Sequence, residues 1–166
     1  MRLAPLMCLV YTVTLMRRPL AASHLARIVH MTSVGSLARA VAEGRLELRS
    51  SGPEDEQVLS ILRAAAKDEK VVEDEARALA QTRSWPVNLA GMPYGWTRLE
   101  HEEAREALPR VIRIFEREVF ELDSDARSLD EDEEVRSLLL ATLDGRRSQL
   151  RALSLLAPQA TLPGAK

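Results

Sequence analysis

The sequence predicts an all-α fold: an antiparallel bundle of about three long helices, with shorter helices on its N-terminal side. Three observations predict it. Leu, Ala, Arg and Glu dominate the chain, and all four are strong helix formers. Apolar residues recur at alternating three- and four-residue steps through three long stretches, which draws one stripe down a helix. Seven glycines and eight prolines are few for an all-β chain built on tight turns.

A chain of 166 residues forms one domain of ordinary size with a real core. Its single cysteine, Cys8, excludes an intrachain disulfide and a cysteine-based zinc cluster. The net charge of −2 gives no general pull toward DNA or anionic membranes. Arginines outnumber lysines 20 to 3, which reads as coding bias; a nucleic-acid binder would concentrate the charge on one face. The charge is uneven along the chain. The first 42 residues hold five arginines and no acid, and the remainder is acidic, which marks a separate N-terminal segment.

Residues 1–30 read as a leader. Leu3 to Met16 is an apolar run too short to span a bilayer comfortably. A signal peptide, an organelle transit peptide and an upstream start with Met31 as the true first residue compete for it. The third is preferred, because the segment matches neither targeting pattern well. A cytoplasmic location is the expectation, with an N-terminal targeting segment as the alternative. Residues 31–52 read as a short helical and extended segment. A helix through HLARIV breaks at His30 to Ser33, a second runs through VGSLARAVAEG with Gly44 as its C-cap, and Leu46-Glu47-Leu48 is extended.

Residues 53–157 read as the bundle. Pro53 with Glu54, Asp55 and Glu56 opens a helix that runs to about Gln81. Its stripe is Val58, Leu62, Ala65, Glu69, Val72, Ala76 and Leu79, so a carboxylate stands in the middle of an apolar seam. Such a group is paired, metal-bound, or placed where the seam opens to water. Thr82 to Thr97 is a long connector in which Trp85, Met92, Tyr94 and Trp96 form a hydrophobic lid over one bundle end. Thr97 with Glu100 reads as a capping box for the next helix, which Pro109 interrupts or restarts. Leu108, Ile112, Phe115, Val119, Leu122, Ala126 and Leu129 form the cleanest stripe of the chain. No polar residue breaks it, so it reads as scaffold. Seven acids between Asp123 and Glu134 mark a solvated corner, with Ser128 or Asp130 capping the last helix. That helix carries Val135, Leu139, Leu143, Leu150 and Leu153, with Arg146 or Arg147 at its central level. Residues 158–166 read as a disordered tail after Pro158.

Three functions compete. The first is a non-enzymatic helical-bundle interaction protein that self-associates or binds a protein partner, needing no cofactor. It rests on the missing catalytic constellation: no phosphate loop, nucleophile elbow or HExxH stands in the chain. The second rests on the rhythm of residues 54–156, a mid-seam glutamate followed by a long connector and further amphipathic helices, which resembles ferritin-like and rubrerythrin-like bundles. That resemblance implies iron held by carboxylates, with Glu69, Glu73 and Glu103 as the candidate ligands. The pattern departs from the family, since no Glu-x-x-His exists and Asp144-Gly145-Arg146-Arg147 stands where the family places glutamate and histidine. An arginine there would instead neutralise Glu69 and fix helix register, and that pairing is preferred. Val34, Gly35, Ser36 and Leu37 resemble the targeting peptide of encapsulin cargo proteins, which implies a shell protein as partner. The third function is a small DNA-binding regulator. It rests on residues 22–46, which resemble the helix-turn-helix of MarR-type regulators, though no basic cluster opens the second helix.

Overall fold

The computed structural model describes residues 20–129 and 132–157 of the chain. Among them are five α-helices: α1 over residues 20–31, α2 Leu37–Ala42, α3 Pro53–Thr82, α4 Ala104–Ser128 and α5 Glu133–Leu156. None of these is long and apolar enough to cross a membrane. The apolar run Leu3–Met16 with Cys8, and the expected tail, lie outside the described residues. The expected leader boundary at residue 30 falls inside α1. Leu25, Ile28 and Val29 are fully buried, so that helix belongs to the bundle.

Local chemistry sets the helix ends. Ser36 caps α2 by accepting from the Arg39 N–H at 3.0 Å. Gly44 closes it in a left-handed conformation at φ +70, with Arg45 N–H donating to the Ala40 carbonyl and Gly44 N–H to that of Val41. Pro53 and three acids open α3 as expected. The start of α4 differs from expectation. Thr97 lies in a 3-10 turn, Tyr94–Leu99, and the helix begins only after Glu103. Its first turn is capped from another helix: Asp55 of α3 accepts from Arg105 N–H at 2.8 Å and from Ser51 N–H at 3.0 Å. Those backbone donors, Arg105 first, hold the Asp55 carboxyl below its ordinary range. Pro109 sits in the second turn of a continuous α4, where it lacks the N–H that would bond to the Arg105 carbonyl but does not restart the helix. Asp132, and not Ser128 or Asp130, caps α5 by accepting from Val135 N–H.

The core is in two apolar halves. The lower half joins Leu37 and Ala40 of α2, Val58 and Leu62 of α3, Leu108, Val111 and Phe115 of α4 and Leu153 of α5. The upper half joins Leu25 and Ile28 of α1, Ala76 and Ala80 of α3, Leu122 and Ala126 of α4 and Val135 to Leu143 of α5. These memberships give each helix its direction. The α1–α2 leg runs down, α3 runs up, α4 runs up beside it and α5 returns. The all-α bundle is therefore shown, with α5 antiparallel to both α3 and α4. The connector over residues 83–103 must descend the whole length of α3, about 45 Å for thirty residues. Its two tryptophans accordingly serve opposite halves rather than one lid. Trp85 packs on the upper cluster under the Arg83 guanidinium, 4.9 Å from its ring centroid, and Trp96 is buried in the lower one. At the bottom, Arg49 pairs with Glu103 in an isolated parallel bridge.

Candidate functional site

Between the two apolar halves lies a polar layer. The seam of α3 reaches it at Glu69, that of α4 at Glu118, and that of α5 at Arg146 and Gln149. All are buried, Arg146 to 1% exposure, Glu69 to 5% and Glu118 to 6%. The α1–α2 leg is broken at this level, and its turn supplies the Met31 carbonyl and the Ser36 hydroxyl. One guanidinium thus touches or neighbours every helix of the bundle.

Arg146 places three of its five N–H donors in hydrogen bonds. Its Nη1 group donates to Glu69 and, at 2.9 Å, to the Gln149 side-chain carbonyl. Its Nη2 group donates to the Met31 carbonyl at 3.1 Å. The other oxygen of Glu69 accepts from Ser36 Oγ. The face of the guanidinium stacks on Phe115, 4.9 Å from the ring centroid. Glu118 is held less well. Its Oε2 lies 2.8 Å from Arg146 Nε, close enough for charge attraction, yet neither atom has an aligned hydrogen-bond partner.

Two carboxylates therefore share one cation, and the electrostatics divide unequally. Burial pushes the Glu118 carboxyl up to about 7, against the pull of Arg146 and with a push from Glu69. Burial alone would lower the Arg146 guanidinium, but Glu118 and Glu69 outweigh it and hold it above its ordinary value. A cleft of about 60 Å³ opens onto the layer between α3 and α5, bounded by Thr32, Asp68, Glu69, Gly145 and Arg146.

The candidate metal ligands are not assembled. Glu69 faces Arg146. Glu73, one turn on and buried, accepts from Arg39 and Arg77, each at 2.7 Å. Glu103 stands at the start of α4, at the lower end of the bundle. Among the described residues no group of three or more His, Cys, Asp or Glu side chains is placed to hold a metal ion. Val34, Gly35, Ser36 and Leu37 form the turn into α2, with Ser36 and Leu37 buried. A Cβ on Gly35 would meet the His30 ring at 2.6 Å, so only glycine fits there. The candidate recognition helix of the regulator reading is the six-residue α2. Its Leu37, Ala38 and Ala40 are buried and its Arg39 is paired with Glu43 and Glu73.

Glu118 and Gln149 are the residues that sequence reasoning missed. The stripe on α4 was traced through Ile112 and Val119, while the buried seam runs through Val111, Phe115, Glu118 and Leu122. Val111 and Ile112 are adjacent apolar residues, so the pattern leaves the choice of face open there, and at Glu118-Val119 it favours the valine although the glutamate is the buried one. The signal was the company of Glu69: a buried guanidinium facing it had room for a second carboxylate. His24, expected in a leader, instead ties α1 to the end of α4, 3.6 Å from Asp125 and 3.3 Å from Ser128.

Comparison with known protein families, with characterised proteins and with solved structures finds no match to this chain.

Proposed function

We propose that this chain is a non-enzymatic helical-bundle protein that works through its outer surface, by associating with itself. The observation that carries this reading is the polar layer, whose charged groups are partnered by one another. The bundle interior, where helical proteins build cofactor sites from facing side chains, is filled here by the chain's own Arg146. The outer surface, by contrast, leaves large apolar side chains in water: Phe120 at 75% exposure on α4 and Val71 at 59% on α3. Light scattering over a range of concentrations tests it. A mass that rises with concentration, and falls back in Phe120→Ser, supports self-association. A concentration-independent monomer argues against self-association and leaves a different protein as partner.

The connectivity favours a second reading, a degenerate ferritin-like bundle. One long crossover joining two parallel helices is the arrangement of ferritin-like folds, and Glu69 and Glu118 bring carboxylates from adjacent helices to one level. The side chains present do not fit iron, because the Arg146 guanidinium stands between the two carboxylates and Glu73 is held by two arginines. Metal analysis of the purified protein separates the readings. Stoichiometric iron that is lost in Glu69→Ala overturns the first. A role as encapsulin cargo would require Val34 to Leu37 to leave the position they hold between α1 and α2.

A further inference from the structure

We propose that the Glu118–Arg146–Glu69 layer is a proton-operated latch on α4, closed when Glu118 carries a proton and loosened when it does not. The charge count motivates it. Two buried carboxylates face one guanidinium, so the fully ionised layer holds one negative charge without a partner. Glu69 is the better-held member, with a hydrogen bond on each oxygen. Glu118 lies 2.8 Å from Arg146 Nε, with no aligned donor on its Oε2. The proton that removes the excess therefore sits on Glu118, and the helix that gains or loses a well-seated residue is α4.

The charged groups that act on Glu118 come from three sides. Arg146 faces it from α5 and Glu69 from α3, while Arg117 and Glu121 act from α4 itself. Arg27 of α1 reaches Glu121 and Asp125, at 2.7 and 3.0 Å, and so holds the upper end of α4 by a contact separate from the layer. The cleft beside Thr32 and Gly145 gives water a route to the layer from the α3–α5 side. Below the level of Glu118, α4 is fixed by Phe115 and Val111; above it, by Leu122. Loss of the proton thus acts at the middle of the helix.

The direction follows from the raised carboxyl. A group that moves from the ordinary 4.5 to about 7 on folding stabilises the fold while protonated, and that contribution is lost as pH rises through about 7. Between pH 6 and pH 8 the unfolding equilibrium constant of the full chain is expected to rise about tenfold from this group alone. Hydrogen exchange corrected for intrinsic rates, read at both pH values, is expected to place the added opening in α4 around residues 115–122. In Glu118→Gln, which is neutral at every pH, that difference disappears while any contribution of other groups remains. The proposal is overturned if parent and Glu118→Gln share one pH dependence, or if the added opening lies in α1 or α2 instead. Should the variant fail to fold, isotope-edited NMR of the parent's side-chain carboxyls decides: a Glu118 carboxyl titrating in the ordinary glutamate range sinks the latch.

Discussion

Replacing Arg146 with methionine keeps the helix and much of the buried volume but removes the one cation of the polar layer. Taking away one partner of a buried ion pair costs about 3–5 kcal/mol, because the other charge stays buried alone. Here Glu69 and Glu118 lose the same partner. The Met31 carbonyl also loses a donor, and a buried polar group left without one costs about 1–3 kcal/mol. Phe115 loses a cation stacked on its ring, a contact worth about 1–2 kcal/mol when dry. These terms overlap, and protonation of Glu118 relieves part of the first. The expected net loss at pH 8 is about 4–6 kcal/mol, a large share of the roughly 5–15 kcal/mol that holds a domain folded. Urea unfolding followed by circular dichroism should show a midpoint lower by about 2–3 M, for a slope near 2 kcal/mol per M. At pH 6 the deficit should be smaller. A variant within about 1 kcal/mol of the parent at pH 8 would refute the view that the layer is held by charge.

Further outcomes follow from the same geometry. A chain beginning at Met31 lacks Leu25, Ile28 and Val29, each contributing about 1.5–3 kcal/mol when fully buried, and is expected to show no cooperative thermal transition by circular dichroism. Gly35→Ala drives a methyl group into the His30 ring and backbone and should cost about 1–3 kcal/mol in denaturant unfolding, with His30→Ala restoring part of it. Asp55→Asn weakens the tie between the starts of α3 and α4. The Asp55 contribution is present above the ordinary carboxylate range and lost as pH falls below it, so the variant's acid unfolding profile should be flatter there than the parent's.

The helices were legible because periodicity reports burial directly. Pro53 and its acids placed the start of α3 to within a residue, and Gly44 ended α2 because that turn needs φ > 0. The pairing of Glu69 with an arginine of the last helix was legible too, since Arg146 or Arg147 stands at its level; the structure selects Arg146. What the sequence concealed was set by contacts between distant segments. Asp55 caps α4 from another helix, so the local capping box at Thr97 pointed to the wrong start. The arginine-rich, acid-free composition around α1 suggested a leader, while its Leu25–Ile28–Val29 face was already a packing stripe. Glu118 was hidden because an adjacent valine offered the pattern an apolar alternative.

The placement of Arg146 raises a question of specificity that stability alone does not answer. On both sides of the layer the helices meet through Ala and Leu: Ala65, Ala66, Ala76 and Ala80 on α3 against Leu139, Leu143 and Leu153 on α5. Such surfaces tolerate a slide of one turn, about 5.4 Å, with modest loss of buried area. Arg146 does not tolerate it, because a slide takes the guanidinium away from Glu69, Gln149 and the Met31 carbonyl together and into leucine. The broken α1–α2 leg is part of the same device, since Met31 and Ser36 reach the layer only through the turn that Gly35 permits. A variant carrying Arg146→Met, Glu69→Gln and Glu118→Met removes the charges while keeping an acceptor for Ser36. It is expected to recover most or all of the stability lost in Arg146→Met. If the layer sets register, the same variant loses side-chain uniqueness, with broadened methyl resonances and increased binding of a hydrophobic dye at unchanged helix content. Parent-like methyl dispersion in that variant would mean that the apolar shapes alone choose the register, and that Arg146 serves only to neutralise the two glutamates.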